Sequence, residues 1–250
     1  MGRLFARFFR RKGYRVLVAD PLGSPPGYAR ASVADSASAN VVLIAASLDR
    51  TPAALEAVLA QSPRGLVFDI ASIKTPLLPL FARARKAGVA IASAHPMFGP
   101  NARFAGNDFL VLDCGDPPAA ARLARLFGGQ GLRIRRMPVA AHDPWAARTM
   151  GLAHVVALAA ASTLERLKVD AFDVDGRATT TFRRLLGLVA SLLDQDAALT
   201  RSIQTQNPDA PLVAEVLAEE VEAFRAALFA PDGRALAARI EALRRALGRP

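Results

Sequence analysis

Between residues 14 and 137, short aliphatic runs alternate with stretches of helical pattern, and this alternation constrains the fold more than any other feature of the chain. Tyr14–Ala19, Asn40–Ala46, Gly65–Ile70, Val89–Ala94, Asp108–Asp113 and Leu132–Met137 are short runs rich in Val, Ile and Leu. Runs of this kind suit strands buried on both faces of a parallel sheet. Helical patterns lie at Arg3–Lys12, Pro52–Gln61, Pro76–Ala87 and Pro117–Phe127. All but the first open with proline, whose fixed φ and missing N–H suit the first helical turn. The alternation predicts an α/β fold with a doubly wound parallel sheet.

After Pro138 the character changes. From Ala140 onward the pattern is one of Ala/Leu/Arg helices, broken at Val169–Gly176, Asn207–Pro211 and Pro231–Gly233. The expectation is a nucleotide-binding domain over residues 1–138 followed by an all-α domain over 139–250. The helix around Met150–Leu167 has too few polar positions for a surface helix, so it is expected to be buried against a second subunit, as in a homodimer.

A hydrophobic fraction of 52% with 22% charged residues reads as a soluble globular protein. The longest nearly unbroken apolar stretch, Met150 to Ala161, is too short to span a bilayer, so no membrane partner is expected. The single cysteine, Cys114, excludes an internal disulfide framework and fits a reducing cytoplasm. Residues 1–138 hold 19 Lys and Arg against 8 Asp and Glu, whereas the remainder is nearly balanced. Such a basic first half could attract an anionic cofactor and a dicarboxylate substrate. Nucleic acid is a weaker reading, because two Tyr and one Trp supply few stacking aromatics. The three histidines are not spaced for a metal.

A dinucleotide fold opens strand, Gly-x-Gly-x-x-Gly, helix, and the pyrophosphate sits on the helix N-terminus. This chain opens at Met1-Gly2-Arg3-Leu4-Phe5, the tail of such a fingerprint, with Gly2 as its third glycine. Asp20 follows at the end of the next strand, where an acid accepts hydrogen bonds from ribose hydroxyls and repels a 2′-phosphate. That favours NAD over NADP. A turn-capping aspartate explains the same residue equally well. The first strand and the first two glycines are not in the sequence, and the strand they belong to lies mid-sheet in this topology. The expectation is that Met1 is an internal residue of a longer natural protein; a truncated, poorly folded chain is the alternative.

Asp69-Ile70-Ala71-Ser72-Ile73-Lys74 and His95-Pro96-Met97-Phe98-Gly99-Pro100 each close an aliphatic run, where an open α/β sheet presents its ligand. With His142-Asp143 and a second histidine, His154, on the following helix, these blocks resemble the prephenate dehydrogenase family. The resemblance runs through nearly the whole chain. It implies a Rossmann-like domain lacking its first strand, followed by an all-α dimerisation domain, and oxidative decarboxylation of prephenate to 4-hydroxyphenylpyruvate with hydride transfer to NAD. It casts His95 as the base that takes the C4 hydroxyl proton, and Ser72 as a partner of that hydroxyl or of His95. His154, Lys74 and Arg183 would face the substrate, and Gly2, Asp20, Ser47, Ser72 and Pro96 the cofactor. Asp69 is expected to fix its loop.

One departure stands out. The family presents an arginine from the helical domain to a substrate carboxylate, and aligning Ala190–Asp196 with that region puts Ser191 in its place, with Arg183 and Arg184 two turns earlier. Arogenate dehydrogenase is the near alternative, and a non-catalytic remnant that only dimerises is the alternative of a different class. A β-hydroxyacid dehydrogenase would need a catalytic lysine on the interdomain helix, and Lys168 lies beyond its useful part.

Overall fold

A computed structural model describes residues 1–169 and 177–248. The expected break at Val169–Gly176 falls mostly outside the described residues. The chain forms two compact units, one of Met1–Ala146 with Gln195–Pro208, the other of Ala147–Asp194 with Asp209–Pro250. The division is thus not a single cut at 138/139, since one helix from the middle of the helical half packs with the first unit.

That first unit is an α/β Rossmann-like core. Helix α1 (Gly2–Arg11) leads to a parallel two-stranded sheet of β1 (Leu17–Val18) and β2 (Ala29–Arg30). A five-stranded sheet follows in the order β3 (Val41–Ile44), β4 (Leu66–Asp69), β5 (Ile91–Pro96), β6 (Asp108–Asp113), β7 (Arg133–Pro138). Helices α2 (Thr51–Leu59), α3 (Leu78–Lys86) and α4 (Pro117–Phe127) connect the strands. Among these, α4 joins the parallel pair β6–β7.

The sheet is mixed rather than wholly parallel: β3, β4 and β5 run together, and β6 pairs antiparallel to β5, His95 opposite Leu110. A parallel return needs a crossover of a dozen or more residues, usually a helix. The segment 97–107 contains no helix, so the chain turns back.

The sheet is also divided where a fold of this kind places its first strand. Leu66 and Ile70 N–H donate to the carbonyls of Asn40 and Ile44, so even-numbered residues of β3 face β4. The backbone groups of Val41, Leu43 and Ala45 then face the opposite edge, which pairs with no strand among the described residues. Accordingly Val41, Val42 and Leu43 are only half-buried, whereas all of β4 is buried.

One face of the sheet is covered by α1 and α4. Leu4, Phe5, Phe8 and Phe9 recur on one side of α1, and Arg3, Arg7, Arg10 and Arg11 project from the other. Phe8 stacks on Phe127 of α4 at 4.9 Å between centroids, and Phe5 meets the same ring edge-on at 5.6 Å. Each such pair adds roughly 0.5–1.5 kcal/mol beyond its buried area.

The second unit is helical among its described residues: α6 (Leu152–Arg166), α7 (Thr180–Leu193), α9 (Ala210–Leu228) and α10 (Arg234–Ala246). The chain enters α6 from α5 (His142–Ala146) through a π-helical turn, Ala147–Gly151. The whole helical stretch Val139–Arg166 is long and apolar enough, by length and composition, to cross a membrane, a longer stretch than Met150–Ala161. Its first part carries His142 and Asp143, both buried among polar partners of the α/β unit. The expectation of a buried helix is not met within one chain: α6 buries His154 and Ala157 but exposes Leu152 and Leu158.

Candidate active site

Strand β5 carries His95 next to its end, buried, with Pro96 closing the strand. His95 Nδ1 lies 3.0 Å from His142 Nε2, and His142 Nδ1 lies 2.6 Å from Asp143 Oδ1. Asp143 accepts four further hydrogen bonds: from Lys74 N–H at both oxygens (2.9 and 3.0 Å), and from Thr75 N–H (2.7 Å) and Thr75 Oγ1 (2.6 Å) at Oδ2. Although burial opposes it, these donors hold the Asp143 carboxyl below the usual carboxylate range.

This chain of contacts fixes the tautomers. An ionised Asp143 only accepts, so His142 Nδ1 carries the proton and its Nε2 offers a lone pair. His95 must then donate from Nδ1, which leaves Nε2 as its unprotonated nitrogen. Burial, reinforced by neighbouring His142 and Lys74 and opposed by Asp143, pushes His95 well below the usual histidine range. His142 is lowered as well, again chiefly by burial, with Asp143 acting against the shift. Both imidazoles are neutral at neutral pH. The arrangement suits a proton acceptor whose developing positive charge is shared through His142 with a carboxylate.

Lys74 requires a correction. It is fully buried, and its ammonium donates to Asp69 Oδ1 (2.7 Å), Ala71 O (2.6 Å) and Ala94 O (2.8 Å). Three donors meet three acceptors, so nothing remains for a substrate carboxylate. Lys74 instead ties the end of β4 to β5, directly behind His95. Asp69 does fix its loop, accepting from Ala71 N–H at 2.9 Å as well as from Lys74.

Ser72 is half-buried and, among the described residues, makes no hydrogen bond to His95; the orienting place belongs to His142. His154 lies buried on α6, with Nδ1 lacking a hydrogen-bond partner among the described residues. Arg183 and Arg184 are exposed on α7, in the same unit, and Ser191 Oγ donates to Leu188 O at 2.8 Å. Lys168 is likewise exposed.

The candidate cofactor residues sit at strand ends. A Cβ on Gly2 would lie 3.4 Å from Ala45 Cβ, so the first turn of α1 closes on the chain just past β3. Ser47 follows, exposed, with its carbonyl accepting from Arg50 and Thr51. Asp20 lies exposed just past β1 and accepts from Leu22 N–H at 2.8 Å, so it does cap a turn while its carboxylate stays accessible. A helix start, an open loop and an exposed acid at parallel strand ends fit a dinucleotide. Cys114 is buried, and burial raises its thiol pKa. Among the described residues no cluster of His, Cys, Asp or Glu could hold a metal.

No protein-family profile matches the chain. A curated relative from Methanocaldococcus jannaschii, described as a probable arogenate/prephenate dehydrogenase, is 22% identical over 224 residues, 83% of this chain and 50% of its own length. The chain therefore spans about half the length of that relative. Prephenate dehydrogenase from Aquifex aeolicus superposes with a TM-score of 0.73 at 16% identity, covering 98% of this chain and 94% of the other. Arogenate dehydrogenase from Synechocystis gives 0.66 at 17%, covering 98% and 95%. An imine reductase from Myxococcus stipitatus in complex with NADP+ gives 0.54 at 17%, covering 96% of each chain. The chain has the fold of the prephenate and arogenate dehydrogenases and is related in sequence to one of them.

Proposed function

We propose that the chain is a nicotinamide-dependent dehydrogenase that oxidatively decarboxylates prephenate to 4-hydroxyphenylpyruvate, with NAD as hydride acceptor. The observation that carries this reading is the His95–His142–Asp143 line at the end of β5, a neutral base backed by a carboxylate. NAD, when bound, would supply the hydride acceptor, held by the α1 start at Gly2, the loop at Ser47 and the carboxylate of Asp20. His95 Nε2 takes the proton of the C4 hydroxyl. The charge this places on the imidazole is stabilised through His142 by Asp143, as carbon dioxide leaves and the ring becomes aromatic. Ser72 and Pro96 border the same strand ends.

NAD is preferred over NADP because Asp20 would meet a 2′-phosphate with like charge. Aquifex aeolicus prephenate dehydrogenase has been crystallised with hydroxyphenyl propionate and NAD+, which supports the pairing of ligands. Arogenate is the second substrate reading, favoured by the similarity to the Synechocystis enzyme. A homodimer fits the apolar side chains left open on the helical unit, among them Leu212, Val216, Val221 and Leu228 of α9. A cytoplasmic setting fits the single buried thiol.

The test is NADH formation with prephenate or arogenate, in parallel with NAD and NADP. It is run on this chain and on a form extended upstream to supply a strand at the open edge of β3. Turnover of prephenate with NAD supports the reading. A folded protein, in both forms, that turns over neither substrate overturns it and favours the remnant.

A further inference from the structure

Helix α8 (Ala197–Gln206) lies in the helical half of the sequence yet belongs to the α/β unit. Its N-cap, Asp196, accepts from Leu199 N–H at 2.9 Å. Near its other end, buried Ser202 places Oγ 2.9 and 3.0 Å from the two carboxylate oxygens of Asp49. Gln206, four residues on and therefore on the same face, donates to that carboxylate too. Asp49 sits in the tight turn Leu48–Arg50 directly after Ser47, on the loop assigned above to the cofactor. The next residue after the helix, buried Asn207, donates from Nδ2 to the carbonyl of Asp143 at 2.9 Å.

One rigid element is thus tied to two loops that are far apart in sequence. Asp143 is held twice: its carboxylate by Lys74 N–H, Thr75 and His142, its backbone by Asn207. A neutral amide on a backbone carbonyl adds no charge to the site, so its effect on the imidazoles is one of position. Gln206 also lies beside Leu48, Thr51, Ile73 and Leu77, so the end of α8 adjoins both the Ser47–Arg50 turn and the segment after β4.

We propose that α8 is a strut coupling the Ser47–Arg50 loop to the proton relay, with Asn207 the positioning residue that keeps Asp143 against His142. The inference rests on the relay reading of His95, His142 and Asp143. The charged and titratable groups facing these imidazoles are Lys74, Asp143 and Asp69. None of them touches Ser202, so a response of the relay to Ser202 reports coupling at a distance rather than direct contact.

The experiment is an NMR titration of the three histidines in the full chain, which needs no turnover and so reads the relay whatever the substrate. Loosening the strut admits water to His95 and moves its midpoint up toward the ordinary histidine value, because burial is the largest cause of its depression. Asn207→Ala and Ser202→Ala are each expected to raise the most acid-shifted imidazole by about half a pH unit or more, a resolvable fraction of shifts of this origin. The double variant should exceed the larger single effect by little, as for two points on one element. If Asn207→Ala does not fold, Asn207→Leu, close in size, uncharged and unable to donate, takes its place. Unchanged midpoints in Ser202→Ala, with a depressed wild-type midpoint, overturn the strut. Ordinary midpoints in the wild type overturn the relay itself.

Discussion

His95 Nδ1 faces His142 Nε2 at 3.0 Å, and because Asp143 holds the far nitrogen of His142, that contact decides which atom of His95 is basic. Replacing His95 by Asn removes the proton acceptor but keeps a polar side chain of similar reach. Turnover is expected to fall about 10²–10⁴-fold, the usual contribution of a positioned base. Cofactor binding, followed by the fluorescence of titrated NADH, should be retained. Turnover near that of the wild type would remove His95 from its role.

Asp143→Asn tests the tautomer argument separately. The amide can donate to His142 Nδ1, which puts the proton on Nε2; His142 then donates to His95, and His95 Nε2 is left protonated. Loss of a carboxylate that sets the tautomer of a catalytic histidine costs up to about 10⁴ in turnover where it has been dissected. The expected result is a large fall in kcat with little change in KM. An Asp143→Asn variant within a few-fold of wild type would show that the relay does not run in this direction.

Acid stability follows from the same burial. His95, His142 and His154 are all held below the usual histidine value, each with desolvation as the largest cause. The unfolded chain therefore binds protons at about pH 6.5 that the folded chain refuses, and stability rises with pH through that window. Their contribution is fully present above the unfolded value of about 6.5 and is lost as pH falls from there toward the folded values. Asp143 adds loss at more acid pH, as its carboxyl is protonated. Thermal unfolding between pH 8 and 5 should show Tm nearly level at first and then falling below about pH 6.5. A Tm that rose on acidification would contradict the buried neutral state.

Much of this arrangement is legible in the residues. The aliphatic runs give six strands of the α/β unit, the central ones because β-branched residues without polar alternation have few other places to go, whereas β7, with Arg133, Arg135 and Arg136, is largely exposed. The two-residue β2 has no such run, and the reversal of β6 is invisible because direction is set by what connects two strands. The block around His95 marks the candidate base. Its partner does not follow from spacing: His142 lies 47 residues away and meets His95 only through the fold. Thr75 and Asn207 carry no signal at all, since an isolated hydroxyl or amide looks alike whether it caps a loop or anchors a catalytic carboxylate. The break at Asp194–Asp196 was masked by Ala/Leu-rich helices on both sides, although Asp196 is a good N-cap. Lys74 is misread for a plain physical reason: lysine is almost never fully buried unless paired, and the pairing is three-dimensional.

Lys74 makes the sharpest stability prediction. Among the described residues Asp69 Oδ1 accepts from the Lys74 ammonium and from Ala71 N–H, and Asp69 Oδ2 lacks a partner. Lys74→Met keeps the aliphatic stem but leaves a buried carboxylate without its counter-ion and two carbonyls without a donor. Breaking one side of a buried pair costs about 3–5 kcal/mol, far more than the pair is worth over an apolar replacement. The single variant should therefore unfold at markedly lower denaturant, while Lys74→Met with Asp69→Leu should recover the part due to the unpaired carboxylate, the Ala71 and Ala94 carbonyls and Ala71 N–H staying unpaired. In the double variant the retained KM for substrate, measured once the fold is restored, separates the two roles considered for this lysine. A KM raised tenfold or more there would return Lys74 to the substrate carboxylate; an unchanged KM leaves it as the tie that holds β4 and β5 behind His95.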